Sequence, residues 1–529
     1  MKSRAAAVLV LLLLSLACTA QSRQGPQVRK AGVAGSFYPA DPKQLAAMVD
    51  DLMAKAPVAE LPGPPIALIA PHAGYPYSGG VAAYSYALLK GRHFRRVVVI
   101  APSHYEAFPF ASVYDGDAYE TPLGPIPVDK EFARKLGESG AGLKLSSRGH
   151  IATSEARDAN GELSQEHSVE VQLPFLQRTL GDFKLVPVIM GEQDYESSRA
   201  VGVALAKLIG NSSDTLIVAS SDLSHYHPYD TAVQLDHKVL SAVSQWDYFS
   251  ASRNFEMRVW EACGGAPIVA AMIAAERLGA NEARLLKYAN SGDVTGDHSR
   301  VVGYSAFVLF RNGNAKPASA PYSLSSRERN ALMQIARQSV ESSVRSRQAY
   351  QPPAPATAML NEERGAFVTL NEKGQLRGCI GYVSPVTPLY LTVRDVAASA
   401  ALRDPRFRPV SAAELSGLEY EISVLSPMRR VTDIKQIQVG QHGLLMRNGS
   451  YEGLLLPQVP TEYHWDRATF LAETCQKAGM NATCWRDENT DIFSFTALVF
   501  DDHHASFPDS EEAPHSLLPT SPPGQIRHP

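Results

Sequence analysis

The sequence predicts two domains of mixed class, a three-layer α/β domain over residues 27–310 and a smaller α+β domain over residues 327–502. Three observations carry this prediction. Residues 66–70, 97–101 and 216–219 are short, unbroken apolar runs, the text of strands buried on both faces of a mainly parallel sheet rather than of half-exposed strands. Amphipathic stretches of helical length lie between those runs, as layered α/β domains require. A Gly-, Pro-, Ser- and Ala-rich stretch at residues 312–321 then breaks the periodic text and marks a linker, assigned to residues 311–325.

Taken in chain order, Lys2 and Arg4 precede an apolar stretch at residues 5–14 and then small residues including Ser15, Ala17 and Ala20. That is the layout of a secretory signal peptide over residues 1–20. An exported protein, periplasmic or secreted, is expected to begin at Gln21. The alternative is cleavage before Cys18, which leaves a lipid anchor and the one expected membrane association. Helices are predicted at residues 43–54, 80–89, 198–208 and 229–244, and further strands at 184–189, 284–288 and 302–310. In the second domain a helix is predicted at residues 326–344, capped by Ser325 or Ser326, with strands at 365–370, 418–425, 443–446 and 494–500. Residues 503–529 combine prolines with Ser and Glu and lack periodic apolar residues, so the tail is expected to be disordered.

Composition narrows the partners. A net charge of -4 over 529 residues leaves no basic footprint for nucleic acid, so small-molecule chemistry or a protein partner is the expectation. Beyond the leader the cysteines are Cys263, Cys379, Cys475 and Cys484, too few for a disulfide scaffold. Export nevertheless makes Cys475 and Cys484, close in sequence, a candidate bridge.

The apolar runs end in turns that carry His72, His104, and Asp222 with His225. Strand ends on one edge of such a sheet form the ligand crevice, so these residues are expected to converge. Two imidazoles suit a late first-row metal, with the third donor open among Asp222, His225 and Cys263, the last lying in a glycine-rich turn. His167 and Glu170 are three apart, and on a helix they share a face as ligands or as an acid/base pair. In the second domain the run from Leu376 to Gly381 places Cys379 in a glycine turn beside Arg377. A guanidinium there lowers the thiol pKa and makes a nucleophile or ligand, the alternative being a small buried structural cysteine.

The motifs around Gly35-Ser36-Phe37-Tyr38, Pro71-His72-Ala73-Gly74, Pro102-Ser103-His104, His167-Ser168-Val169-Glu170, Ser221-Asp222-Leu223-Ser224-His225 and Cys263-Gly264 together resemble the Memo family. The resemblance implies a fold similar to class III extradiol dioxygenases. It further implies iron, alternatively copper, held by His72, His104 and Cys263, with Asp222 and His225 as near neighbours. Gly264-Gly265-Ala266-Pro267 departs from the basic pair of the eukaryotic branch, so that branch's peptide-binding role is not carried over. Leu376-Arg377-Gly378-Cys379-Ile380-Gly381, Asp404-Pro405-Arg406-Phe407, His442-Gly443-Leu444 and the run from Gly453 to Val459 resemble the AMMECR family, whose activity is not established. The two together resemble parts of the AmmeMemoRadiSam system, which implies a radical-SAM protein as partner. Three readings follow: a metal-dependent redox enzyme with an unknown small molecule or modified peptide as substrate, a non-catalytic metal carrier or interaction scaffold, and a metal-assisted hydrolase with Asp222 or Glu170 as base.

Overall fold

Apolar runs with every residue buried need strand neighbours on both edges and cover on both faces, and the first unit supplies both. The computed structural model describes residues 27–58, 60–140, 142–151, 165–313 and 322–502. The expected leader, the tail and the middle of the linker lie outside the described residues. The chain divides into two units, Met1–Pro317 and Ala318–Pro529.

The strands of the first unit are β1 (Val28–Arg29), β2 (Pro65–Ala70), β3 (Arg96–Pro102), β4 (Ala111–Val113), β5 (Ala118–Thr121), β6 (Gly124–Pro127), β7 (Leu143–Leu145), β8 (Lys184–Met190), β9 (Thr215–Ser220), β10 (His225–His227), β11 (Glu282–Asn290) and β12 (Val301–Phe310). The main sheet runs β10-β12-β2-β9-β3-β8-β4-β7, with β11 paired to β12, and β1-β5-β6 form a small separate sheet. Its centre, β2, β9, β3 and β8, is parallel. The expectation of a mainly parallel sheet holds only there, because β10, β11, β12 and β4 each enter antiparallel. For β11 and β12 the cause is local: the connection between them carries only the short helix Ser291–Thr295, and such a connection turns a chain back antiparallel, whereas parallel neighbours need a longer crossover.

Helices Pro42–Lys55, Gly80–Ala87 and Leu173–Leu180 pack together on one face, while Tyr195–Ile209 and Gly265–Arg277 pack on each other on the opposite face. Gly202 permits that second contact, since a Cβ there would lie 2.8 Å from Ala270 O. Helix Gly265–Arg277 is buried along almost its whole length. Only the glycine-rich turn at its start is legible in the sequence, because an all-round apolar helix has no polar stripe to reveal its period. The parallel strands β2, β3 and β9 put their carboxyl ends on one edge, and the turns bearing His72, His104 and Asp222 leave from that edge.

The second unit contains β13 (Ala366–Glu372), β14 (Gln375–Tyr382), β15 (Leu418–Leu425), β16 (Arg429–Arg430), β17 (His442–Asn448), β18 (Tyr451–Leu455) and β19 (Asp491–Asp501). They form an antiparallel sheet, β14-β13-β15-β19-β17-β18, with β16 beside β19. Alternate residues Ala366, Val368 and Leu370 face inward beneath helices Ser326–Ser346 and Leu389–Leu402, the period-two pattern of a sheet covered on one side. Ser325 caps the first of these helices in a box with Glu328. Cys475 and Cys484 are joined by a disulfide.

The expected glycine turn around Cys379 is strand β14. Gly378 and Gly381 are there for clearance: a Cβ on Gly378 would sit 2.2 Å from Ala400 O, and one on Gly381 would sit 2.2 Å from the Phe367 ring. Glycine in a strand marks a close approach as readily as a turn.

Candidate functional site

Two residues past β2, His72 is buried; two residues past β3, the His104 side chain is 25% exposed. Cys263 stands just before helix Gly265–Arg277. One donor atom from each of these three residues lies within 4.8 Å of the others, with Cys263 Sγ 3.1 Å from His72 Nε2. The backbone explains the closeness: a Cβ on Gly264 would meet Ser220 O at 2.3 Å, so only glycine lets the cysteine turn lie on the end of β9.

Each imidazole is held by its other nitrogen. His72 Nδ1 lies 2.8 Å from Ser220 Oγ, and His104 Nδ1 lies 2.9 Å from Glu166 Oε1. A histidine bound through Nδ1 presents Nε2, the arrangement that orients imidazoles toward metals. Glu166 does more than hold one ring. Its carboxylate also accepts from the backbone N–H groups of His104 at 2.6 Å, His167 at 2.9 Å and Ser168 at 3.0 Å. Burial raises the Glu166 pKa, but His104 and these hydrogen bonds outweigh burial and hold it well below the usual carboxylate range.

The two histidines differ electrostatically. Burial, then the neighbouring His104 and His167, pushes His72 well below the ordinary imidazole value. Burial also opposes charge on His104, but Glu166 and Cys263 outweigh it and raise His104 well above that value. Cys263 is pushed up by burial, with the His104 contact pulling the other way. Asp222 N–H donates to Cys263 Sγ at 3.2 Å. The donor set, two imidazole nitrogens and a sulfur, fits a late first-row ion.

The remaining expected site residues divide. Asp222 Oδ1 accepts from His72 N–H at 2.8 Å, so its carboxylate braces the His72 turn. Burial raises its pKa, against His225. His225 is held through Nδ1 by Leu223 O at 2.8 Å, beside Tyr226, whose φ is +63°. His167 stacks on His104 with ring centroids 4.8 Å apart, and burial with the nearby His104 lowers its pKa to about 4, giving a neutral imidazole beside the donors. Glu170 is the exception. It does not share a helix face with His167, because the helical segment starts only at Glu170 and His167 lies before it. Its carboxylate is consumed by Arg29, by Tyr38 and by the N–H groups of Gly32 at 2.8 Å and Val33 at 3.0 Å. Glu166 and Ser220 were not singled out from sequence; adjacency of Glu166 to His167 was the one signal.

In the second unit Arg377 does not serve the thiol. It is the extra residue of a β-bulge opposite Leu370 and Asn371, and its Nε donates to Glu414 at 2.8 Å. Cys379 instead accepts from Thr369 Oγ1 at 3.3 Å, while its backbone is bonded by Asp404 at 2.8 Å and Arg406 at 3.1 Å. Burial pushes its thiol pKa up, against the Thr369 bond and Arg406, so the expected activation by Arg377 is overturned. Alkylation of Cys379 is therefore expected to be slow at neutral pH and to climb about tenfold per pH unit with no plateau within the ordinary thiol range. Arg377→Ala is expected to leave that rate unchanged; a plateau near neutral pH in rates followed by mass spectrometry contradicts this account.

A family model described as Memo-like protein matches residues 29–308, and one described as AMMECR1 matches residues 333–500. A MEMO1 family protein of Methanopyrus kandleri is 37% identical over 295 residues, spanning 54% of this chain and 99% of that protein. A MEMO1 family protein of Methanosarcina mazei is 38% identical over 285 residues, again 54% of this chain and 99% of the relative. Among solved structures, an uncharacterized protein from Pyrococcus horikoshii aligns with a TM-score of 0.32 at 40% identity, covering 34% of this chain and 92% of that one.

Proposed function

The chain belongs to the Memo-like family through residues 29–308 and carries an AMMECR1 domain at residues 333–500, and from that premise we propose that its first unit is a metal-dependent redox enzyme holding iron, or alternatively copper, on His72, His104 and Cys263. The observation that carries the proposal is the convergence of three donors within 4.8 Å, each imidazole already engaged through Nδ1. When bound, such an ion supplies one-electron chemistry and polarises a small molecule.

The chain's own residues have separate tasks. Glu166 fixes the His104 ring and adds negative charge behind it, Asp222 N–H steadies the sulfur, and the neutral His167 ring beside His104 is placed to accept a proton from a substrate hydroxyl. Partial exposure of His104 leaves a side open to a small aromatic molecule or a modified peptide, whose supply or onward handling falls to a radical-SAM protein. The hydrolase reading loses ground, because Glu170 is locked by Arg29 and Tyr38 and Asp222 is occupied by the His72 turn.

Metal analysis of anaerobically purified full-length protein, followed by dioxygen uptake with candidate phenols, tests the proposal. About one iron or copper per chain with substrate-dependent uptake is the expected result. Stoichiometric metal without uptake favours the carrier, and protein that retains neither metal removes the proposal.

A further inference from the structure

Behind His72 lies a set of buried polar groups that touch neither Cys263 nor His104 through any described hydrogen bond. Gln172 Nε2 donates one hydrogen to Ser220 Oγ at 2.8 Å and the other to Pro71 O at 3.0 Å, with Ala70 O at 3.4 Å sharing the second. The Tyr86 hydroxyl donates to Gln172 Oε1 at 2.6 Å, and the Ser220 hydroxyl donates to Ser168 O at 2.6 Å. Tyr86, Gln172, Ser168 and Ser220 are all 0% exposed, so bulk water does not compete for these bonds.

Proton counting settles the direction of every link. Main-chain carbonyls only accept, so the NH2 end of Gln172 must face Pro71 and Ala70, and its Oε1 end must face Tyr86. The same NH2 group then donates to Ser220. A serine hydroxyl has one proton, and the Ser168 carbonyl takes it, since an unprotonated contact of two oxygens at 2.6 Å is repulsive. Ser220 Oγ has only lone pairs left for His72 Nδ1, 2.8 Å away. The hydrogen must come from the imidazole.

We infer that Tyr86, Gln172 and Ser220, closed by the Ser168 carbonyl, form a buried relay that locks His72 as its Nδ1–H tautomer and aims the Nε2 lone pair at the position facing Cys263. These are positioning residues, since they act through His72. The relay is neutral throughout, whereas His104 is backed by a carboxylate, so the two imidazoles are unequal donors, with His104 the more basic. Use of the tautomer for metal binding rests on the proposed function; the tautomer itself is a property of the metal-free chain.

The first measurement is a long-range proton–nitrogen correlation on metal-free full-length protein labelled at its 15 histidines, with His72 assigned by loss of its signals in His72→Asn. A proton on Nδ1 and none on Nε2 is expected. Ser220→Ala is expected to mix the tautomers and to weaken binding of a Co2+ probe about 10- to 100-fold, and Ser220→Thr, which keeps a hydroxyl, to restore both. A proton on Nε2 in the unmodified protein overturns the inference. So does a Ser220→Ala protein that keeps both tautomer and Co2+ affinity. Should Ser220→Ala fail to fold, the unmodified protein's tautomer and the Ser220→Thr variant still decide. Absence of Co2+ binding by the unmodified protein sinks the metal reading alone, and the tautomer measurement stands apart from it.

Discussion

Cys263→Ala is expected to weaken Co2+ binding by at least about a hundredfold and to abolish the sulfur-to-metal absorption band, with the melting temperature nearly unchanged. The size follows from four-ligand zinc-finger sites, where a binding free energy of about 10 to 16 kcal/mol amounts to roughly 3 kcal/mol for each ligand. The fold should tolerate the change, because the sulfur's described contacts go to the Asp222 backbone and to the His72 and His104 rings, and each ring is also held by another partner. Gly264, which carries the close approach to β9, is untouched. A titration in which the variant keeps the affinity and band of the unmodified protein puts the third donor elsewhere. Asp222 is then a poor substitute, with its Oδ1 already accepting from the His72 backbone.

Glu170→Ala is expected to produce the largest loss of stability, about 3 to 5 kcal/mol, seen as a fall of roughly 10 °C in the melting of the first unit. Arg29 is 1% exposed and Glu170 0%, so removing the carboxylate strands a guanidinium away from water. Removing both charges is a different experiment. Arg29→Met combined with Glu170→Met is expected to recover much of the loss, as apolar pairs often replace buried ion pairs at little cost. Calorimetry showing a fall under about 2 °C for Glu170→Ala, or a double variant no better than the single, contradicts this reading. The consequence reaches the site, because Arg29 also donates to the carbonyls of Glu166 and, at 3.2 Å, His150. Glu170 thus acts on His104 through Arg29 and Glu166, as an architectural residue rather than a base.

The parts of the fold legible in the sequence were those written in local pattern. The runs ending at Ala70, Ala101 and Ala219 are strands because a continuous aliphatic run is stable only between two covered faces, and their direction places the following histidines on one edge. His72, His104 and Cys263 were named from residue type and family motif, and they meet in space. What was not legible depends on partners far along the chain. Arg377 finds Glu414 rather than the thiol two residues away, Glu170 finds Arg29 across 141 residues, and Glu166 is a bracket for His104 only after the sheet is assembled. Glycines mislead for a related reason: Gly378 and Gly381 were read as freedom to turn, when their use is the missing side chain under Ala400 and Phe367.

The bonds around Cys379 have a consequence for the protein's behaviour in a crowded solution. Strand β14 ends its sheet, and the outward N–H and C=O of Cys379 are exposed edge groups of the kind that recruit a strand from another molecule. Asp404 takes the first and Arg406 the second, with the two side chains also bonded to each other. A charged pair therefore occupies the place where a foreign strand would dock, and the bulge at Arg377 spoils the register beside it. The Asp404-Pro405-Arg406 turn thus closes the middle of an edge that the sheet leaves open, leaving neither outward group of Cys379 free for a foreign strand.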